Sequence, residues 1–224
     1  MNRLPLAKKK EKATNDNQLS MKAQPFKVPV YLRVRGGKIP RSKSYEIEER
    51  LEHDDYDSSL PTVKFPTTRD TAAKTFTCFE QVFNTKSTNK DVFRALAPHV
   101  DASLEGFNSC IFAYGQTGAG KTYTLTGGQT YSQRGLIPRT IEKIWKSTLL
   151  TKCSVSYVEI HSETCRDLLL DDDAAATASS TTSIHETNGE NETLDLLFRG
   201  NMKRMTSETY MNKTSSRSHC IFTI

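Results

Sequence analysis

The chain has 224 residues, 36% hydrophobic and 25% charged, which suits one globular domain with a real core or a piece of a larger one. No run approaches the ~18 consecutive apolar residues of a membrane span, and the polar N-terminus has no apolar segment of a secretory signal. The net charge of +5 does not argue for nucleic-acid binding, because the first 30 residues hold all of it: Arg3, Lys8, Lys9, Lys10, Lys12, Lys22 and Lys27 stand against Glu11 and Asp16.

Residues 1–26 are expected to be a basic, disordered leader. The functional alternative is an arm that touches an acidic polymer. Val28 to Arg35 is β-rich, with Pro29 near the strand start, where a missing donor is tolerated. Residues 36–62 are rich in Gly, Ser and charge, and the acidic stretch from Glu46 to Asp57 is expected to be a solvated excursion. Phe76 to Phe79 alternates and predicts a short strand. Thr88 and Asp91 form a capping-box pattern, with Asp in place of the usual Glu. Val92, Leu96, Val100 and Leu104 then recur every four residues up to Gly106, so a helix is expected, kinked or locally disrupted at Pro98. Cys110 to Tyr114 is a short apolar run and predicts a buried strand.

Beyond the next loop, Ile137, Ile141, Ile144 and Trp145 mark an amphipathic helix, with Pro138 in its first turn. Ser154 to Ile160 alternates as a strand. Asp171 to Ser183 is a low-complexity surface loop. Leu194, Leu197 and Phe198 share one side of a further helix, and Cys220 to Ile224 reads as a final strand. Strands alternating with helices predict an α/β fold. The five cysteines, Cys78, Cys110, Cys153, Cys165 and Cys220, are scattered and never spaced C-x-x-C, so free thiols in a reducing compartment are expected. No metal-ligand constellation emerges from them and the five histidines.

The loop between the Cys110–Tyr114 run and the next helix carries the chemistry. Gly115, Gln116, Thr117, Gly118, Ala119, Gly120, Lys121 and Thr122 spell G-x-x-x-x-G-K-[ST]. Glycines remove side chains where the backbone must curl around an anion. Successive N–H groups then form a nest, reinforced by the positive end of the following helix. Lys121 is placed to neutralise β- and γ-phosphates, and the Thr122 hydroxyl to bind Mg²⁺. Gly127 and Gly128 stop that helix. This motif alone leaves kinases, GTPases, helicases and motors open.

A second segment narrows the choice. Asn212 to His219 reads N-K-T-S-S-R-S-H, a run of hydroxyls with one guanidinium. Such a loop can offer oxygens to Mg²⁺ and a γ-phosphate, and a charged fork to a carboxylate. Together the two segments resemble the kinesin motor domain, whose motifs are G-Q-T-x-x-G-K-T and N-x-x-S-S-R-S-H. Phe79 to Phe83, Gly106 to Asn108, Gly135 to Arg139, Tyr157 to Ile160 and Asp167 to Leu169 are similar to further kinesin motifs. The resemblance runs from about Val28 to Ile224.

It implies a P-loop NTPase with a kinesin-like central mixed β-sheet flanked by helices, occupying residues 27–224. It also implies an ATP-dependent microtubule motor that uses ATP and Mg²⁺, partners tubulin rather than nucleic acid or membrane, and resides on the cytoskeleton of the cytoplasm. Gly115 to Thr122 would cradle the phosphates. Arg33, in the family's R-x-R-P, would pack against adenine. Asn212, Ser215 and Ser216 would order Mg²⁺, γ-phosphate and attacking water, with Thr122 and Ser216 on the metal. Arg217 would form a gating ion pair with a switch II Glu. Some segments, such as Leu196 to Gly200 and Tyr131 to Gly135, are similar to the ninth kinesin class of cilia and flagella.

Three departures stand out. Gly36 replaces the Pro of R-x-R-P, removing an apolar wall of the adenine slot, on the order of 1 kcal/mol. His161-Ser162 replaces Tyr-Asn, with no consequence expected. No D-x-A-G-x-E occurs, so the expectation is an incomplete fold, inactive by itself. A non-motile nucleotide- or partner-binding module is the alternative. The Cys110–Tyr114 strand is then expected to lack neighbours on both edges.

Overall fold

The computed structural model describes residues 28–35, 45–48, 61–65, 74–147, 150–170, 182–210 and 218–224. The basic leader, most of the acidic excursion and most of the low-complexity loop lie outside the described residues.

Helix α1 (Asn89–Leu104) begins as its sequence prescribes. The Asp91 backbone N–H donates to Thr88 Oγ1, and the Thr88 backbone N–H donates back to Asp91 Oδ2 at 2.9 Å. The Thr88 side chain, then its backbone N–H, hold the Asp91 carboxyl below its ordinary range. Val92, Leu96 and Val100 are buried, whereas Leu104 is exposed. The helix runs on through Pro98. Pro98 lies on the exposed face, and the carbonyl its missing N–H leaves free is that of exposed Arg94, where water can serve.

Strand β1 (Tyr31–Arg33) pairs in parallel with β5 (Gln81–Phe83). A meander joins β2 (Glu46–Glu48), β3 (Thr62–Phe65) and β4 (Lys74–Phe76) in antiparallel order. Part of the acidic stretch is thus a strand, because Ile47 faces Val63, which is fully buried. The strand expected at Phe76 to Phe79 ends at its first residue.

The larger sheet is built on β6 (Cys153–His161). It pairs antiparallel with β7 (Thr164–Asp167), β8 (His185–Thr187) and β9 (Ser218–Thr223). β6 and β7 meet in a tight hairpin whose residue Ser162 has φ of 55°. Here the replacement of Asn by Ser does have a consequence. The left-handed region admits Asn more readily than Ser, whose side chain gives it less local support.

Among the described residues the other α-helices are α2 (Lys121–Leu125), α3 (Leu136–Trp145) and α4 (Glu190–Tyr210), with a short 3-10 helix at Tyr131–Gln133. α3 bridges two cores. Its Leu136 packs with Phe83, Val92 and Leu96, and its Ile141 with Val155, Tyr157, Leu168, Leu194 and Leu197. Tyr157 meets Phe222 edge to face at 5.3 Å and donates its hydroxyl to Asn201 Oδ1 at 2.8 Å. Burial pushes this phenol up to about 12, so it remains a donor at neutral pH. Phe198, expected on the same side of α4 as Leu194 and Leu197, is 45% exposed whereas those two are buried.

The buried strand expected at Cys110 to Tyr114 is not formed. These residues are irregular, and Phe112 and Tyr114 are 73% and 96% exposed. A strand exists only through its ladder partners, and among the described residues none pairs with this segment. The five cysteines are free, as expected. Among the described residues no helix is long and apolar enough to cross a membrane, and no group of His, Cys, Asp or Glu could hold a metal.

Candidate functional site

The phosphate-loop pattern folds as a tight curl. Gly115, Gly118 and Gly120 have φ of 154°, 79° and 99°, all in the region that L side chains rarely adopt. A Cβ added at Gly115 would lie 3.1 Å from the Ala119 Cβ, inside the curl. The Ala119 N–H donates to the Gln116 carbonyl at 3.1 Å, closing a turn, and α2 starts at Lys121. Lys121 Nζ folds back over the loop, donating to the carbonyls of Gly115 (2.7 Å) and Gln116 (3.0 Å). Thr122 is exposed beside it. Backbone amides, an ammonium and a hydroxyl form a donor set suited to a triphosphate with a hard divalent cation. The cradle therefore fits ATP and Mg²⁺.

The loop forms one wall of an open cavity of about 1800 Å³. Arg33 and Arg35 of the β1 region line it, as do Tyr123 of α2 and the irregular segment 107–114. Arg33, expected to pack against adenine, lies beside α2 at the edge of the same cavity. Its guanidinium NH1 donates to Asn89 Oδ1 (2.5 Å) and Thr124 Oγ1 (2.7 Å), and it lies 5.5 Å from the centre of the Tyr123 ring. Partial burial, offset in part by Tyr123, lowers its pKa from the ordinary arginine value. Arg35 donates to the Gly118 carbonyl, so a second cation braces the loop from outside.

Asn212, Ser215, Ser216 and Arg217 lie outside the described residues. On either side of them in the chain, Met205 of α4 and Ser218 of β9 line the same cavity as the phosphate loop. Ser218 Oγ donates to Glu159 Oε1 at 2.7 Å, and Arg204 Nε is 3.8 Å from the same oxygen. Sequence reasoning missed Asn89, Arg35 and Arg204. Arg35 stands within the R-x-R-P pattern, while Asn89 and Arg204 carried no local signal beyond polarity, and what all three touch depends on chain crossings.

The chain matches the family described as kinesin motor domain over residues 33–224. Kinesin-like protein KIN-14N of Oryza sativa subsp. japonica is 37% identical over 171 residues, covering 65% of this chain and 22% of that protein. Kinesin-like protein KIF27 of Mus musculus is 38% identical over 167 residues, covering 65% of this chain and 12% of that protein. The chain thus spans about a fifth or less of the length of these curated relatives. A solved structure of a fast kinesin superposes with a TM-score of 0.70 at 29% identity, covering 87% of this chain and 58% of that one. The curled glycine loop, the mixed α/β architecture around it and these likenesses agree: the chain belongs to the kinesin motor domain family.

Proposed function

We propose that this chain supplies the nucleotide-binding part of an ATP-dependent microtubule motor. The observation that carries the proposal is the loop Gly115 to Thr122, with three left-handed glycines and Lys121 folded across its mouth. In this proposal Lys121 exchanges the carbonyls of Gly115 and Gln116 for β- and γ-phosphate oxygens. Thr122 and Ser216 hold Mg²⁺, whose chemistry is to neutralise charge on the transferred phosphoryl group. Arg33 lies along the adenine. Asn212, Ser215 and Ser216 order the attacking water, and Arg217 closes onto a carboxylate when the switches engage.

The 224 residues contain no D-x-A-G-x-E segment, so by themselves they are expected neither to hydrolyse ATP at a motor's rate nor to move. The ciliary assignment is also a proposal, supported by Tyr131 to Gly135 and Leu196 to Gly200. A tagged full-length protein found only on spindles would defeat it.

The test is nucleotide affinity of the full-length protein, measured with fluorescent ATP and ADP in Mg²⁺. Lys121→Ala removes charge-assisted bonds of about 1.5–3 kcal/mol each, so affinity should fall about ten- to a hundredfold with an unchanged circular dichroism spectrum. Wild-type protein with no nucleotide affinity would overturn the proposal. Nucleotide binding with turnover that microtubules leave unmoved would favour the non-motile alternative.

A further inference from the structure

We propose that Asn89 is a positioning residue for the phosphate loop, an inference that rests on the nucleotide-binding function above. Asn89 opens α1 and is only 2% exposed. A buried amide must find partners, and this one uses its acceptor and both donors. Oδ1 accepts from Arg33 NH1 at 2.5 Å. Nδ2 donates to the Tyr123 carbonyl at 3.0 Å and to the Gln133 carbonyl at 2.8 Å.

Each partner leads to the loop. Tyr123 is the third residue of α2, a helix of five residues whose late carbonyls have few internal donors. The Gly127 N–H, which could have reached Tyr123, instead goes to the Thr122 carbonyl at 3.4 Å. Asn89 therefore fills a place that the helix leaves open. The second arm passes through Arg33, which also donates to Thr124 Oγ1 at 2.7 Å. That hydroxyl donates to the Gly120 carbonyl at 3.0 Å. Gly120 directly precedes Lys121, and Tyr123 directly follows Thr122. One amide thus braces both sides of the Lys121-Thr122 pair, while the Gln133 contact ties in the turn that leads to α3.

No other side chain of this size supplies the same set. Aspartate keeps the acceptor and loses both donors. In the full-length protein, Asn89→Asp should weaken fluorescent MgADP binding about tenfold, the equivalent of one to two net hydrogen bonds. Thr88→Ala is the control. It removes a cap at the same helix end, costs stability of the same order, and should leave affinity unchanged, because Thr88 does not touch the loop. A merely structural Asn89 would lower the melting temperature as Thr88→Ala does and leave affinity intact, and that result overturns the proposal. Thr124→Val cuts only the second arm and keeps the proposal testable if Asn89→Asp does not fold. It should weaken binding severalfold, and unchanged affinity would remove that arm. If wild-type protein does not bind MgADP, the nucleotide-binding function fails first and this assignment falls with it.

Discussion

Gly200→Ala reverses the ordinary expectation for a glycine inside a helix. Propensity alone predicts a gain of about 1 kcal/mol. The packing predicts a loss. A Cβ at position 200 would sit 2.3 Å from Tyr157 Cδ1 and 2.8 Å from Cε1. Carbon atoms rest about 3.5–4.0 Å apart, so ring and helix must separate by more than an ångström. The ring cannot yield easily. It is 3% exposed, its edge packs against Phe222, and its hydroxyl bonds Asn201 on the very helix that would be pushed away. Moving α4 instead would unpack Leu194 and Leu197, at 4% and 0% exposure. Overpacking costs about 1–3 kcal/mol, and a strained Tyr157–Asn201 bond adds about 1 kcal/mol. After subtracting the propensity gain, a net loss of about 1–3 kcal/mol remains. At roughly 2–4 °C per kcal/mol for a domain of this size, the melting temperature should fall by roughly 2–12 °C. Thermal melts followed by circular dichroism measure this. Adding Tyr157→Leu should make the double variant less damaged than the sum of the singles, because the clash is shared. A Gly200→Ala protein that melts at or above wild type would refute the packing argument.

Two further effects concern the ends of the β6–β7 hairpin. Ser162→Asn places a residue tolerant of positive φ at 55° and should raise the melting temperature by a few degrees, equivalent to about 0.5–1 kcal/mol; a decrease would show that this turn is unstrained. At the far end, burial tends to raise the Asp167 pKa, but bonds from Ser183, Leu169 and Leu170 outweigh it and hold the carboxyl below its ordinary value. With the folded pKa depressed, the stabilisation is complete above the unfolded value of about 3.9 and is lost as pH falls through the folded value. Asp167→Asn should therefore flatten the acid limb of a stability–pH curve below about pH 4, and an unchanged limb would remove Asp167 from the account.

The features legible from residues alone are those whose constraints act over a few positions. The phosphate loop is one: Gly115, Gly118 and Gly120 hold backbone angles that few other residues could, and the strict spacing to Lys121 follows from the curl. The capping box at Thr88 and Asp91 is another, since both bonds close within three residues. The alternation from Ser154 to Ile160 likewise declared β6, because one face of that strand packs against a core. Other features depended on segments far apart in the chain. Cys110 to Tyr114 has the composition of a buried strand and yet stands without a ladder, since apolar character cannot supply a neighbour's N–H and C=O groups. Glu46 to Glu48 looked like a solvated acidic stretch and became a strand because Val63 came to lie opposite Ile47. Asn89 carried no signal beyond its polarity, and only the approach of β1, α2 and the turn at Gln133 turned its amide into a shared anchor. Backbone torsion and short-range hydrogen bonds are written locally; ladders, close helix–sheet contact at Gly200 and buried polar junctions exist only once the chain has folded back on itself.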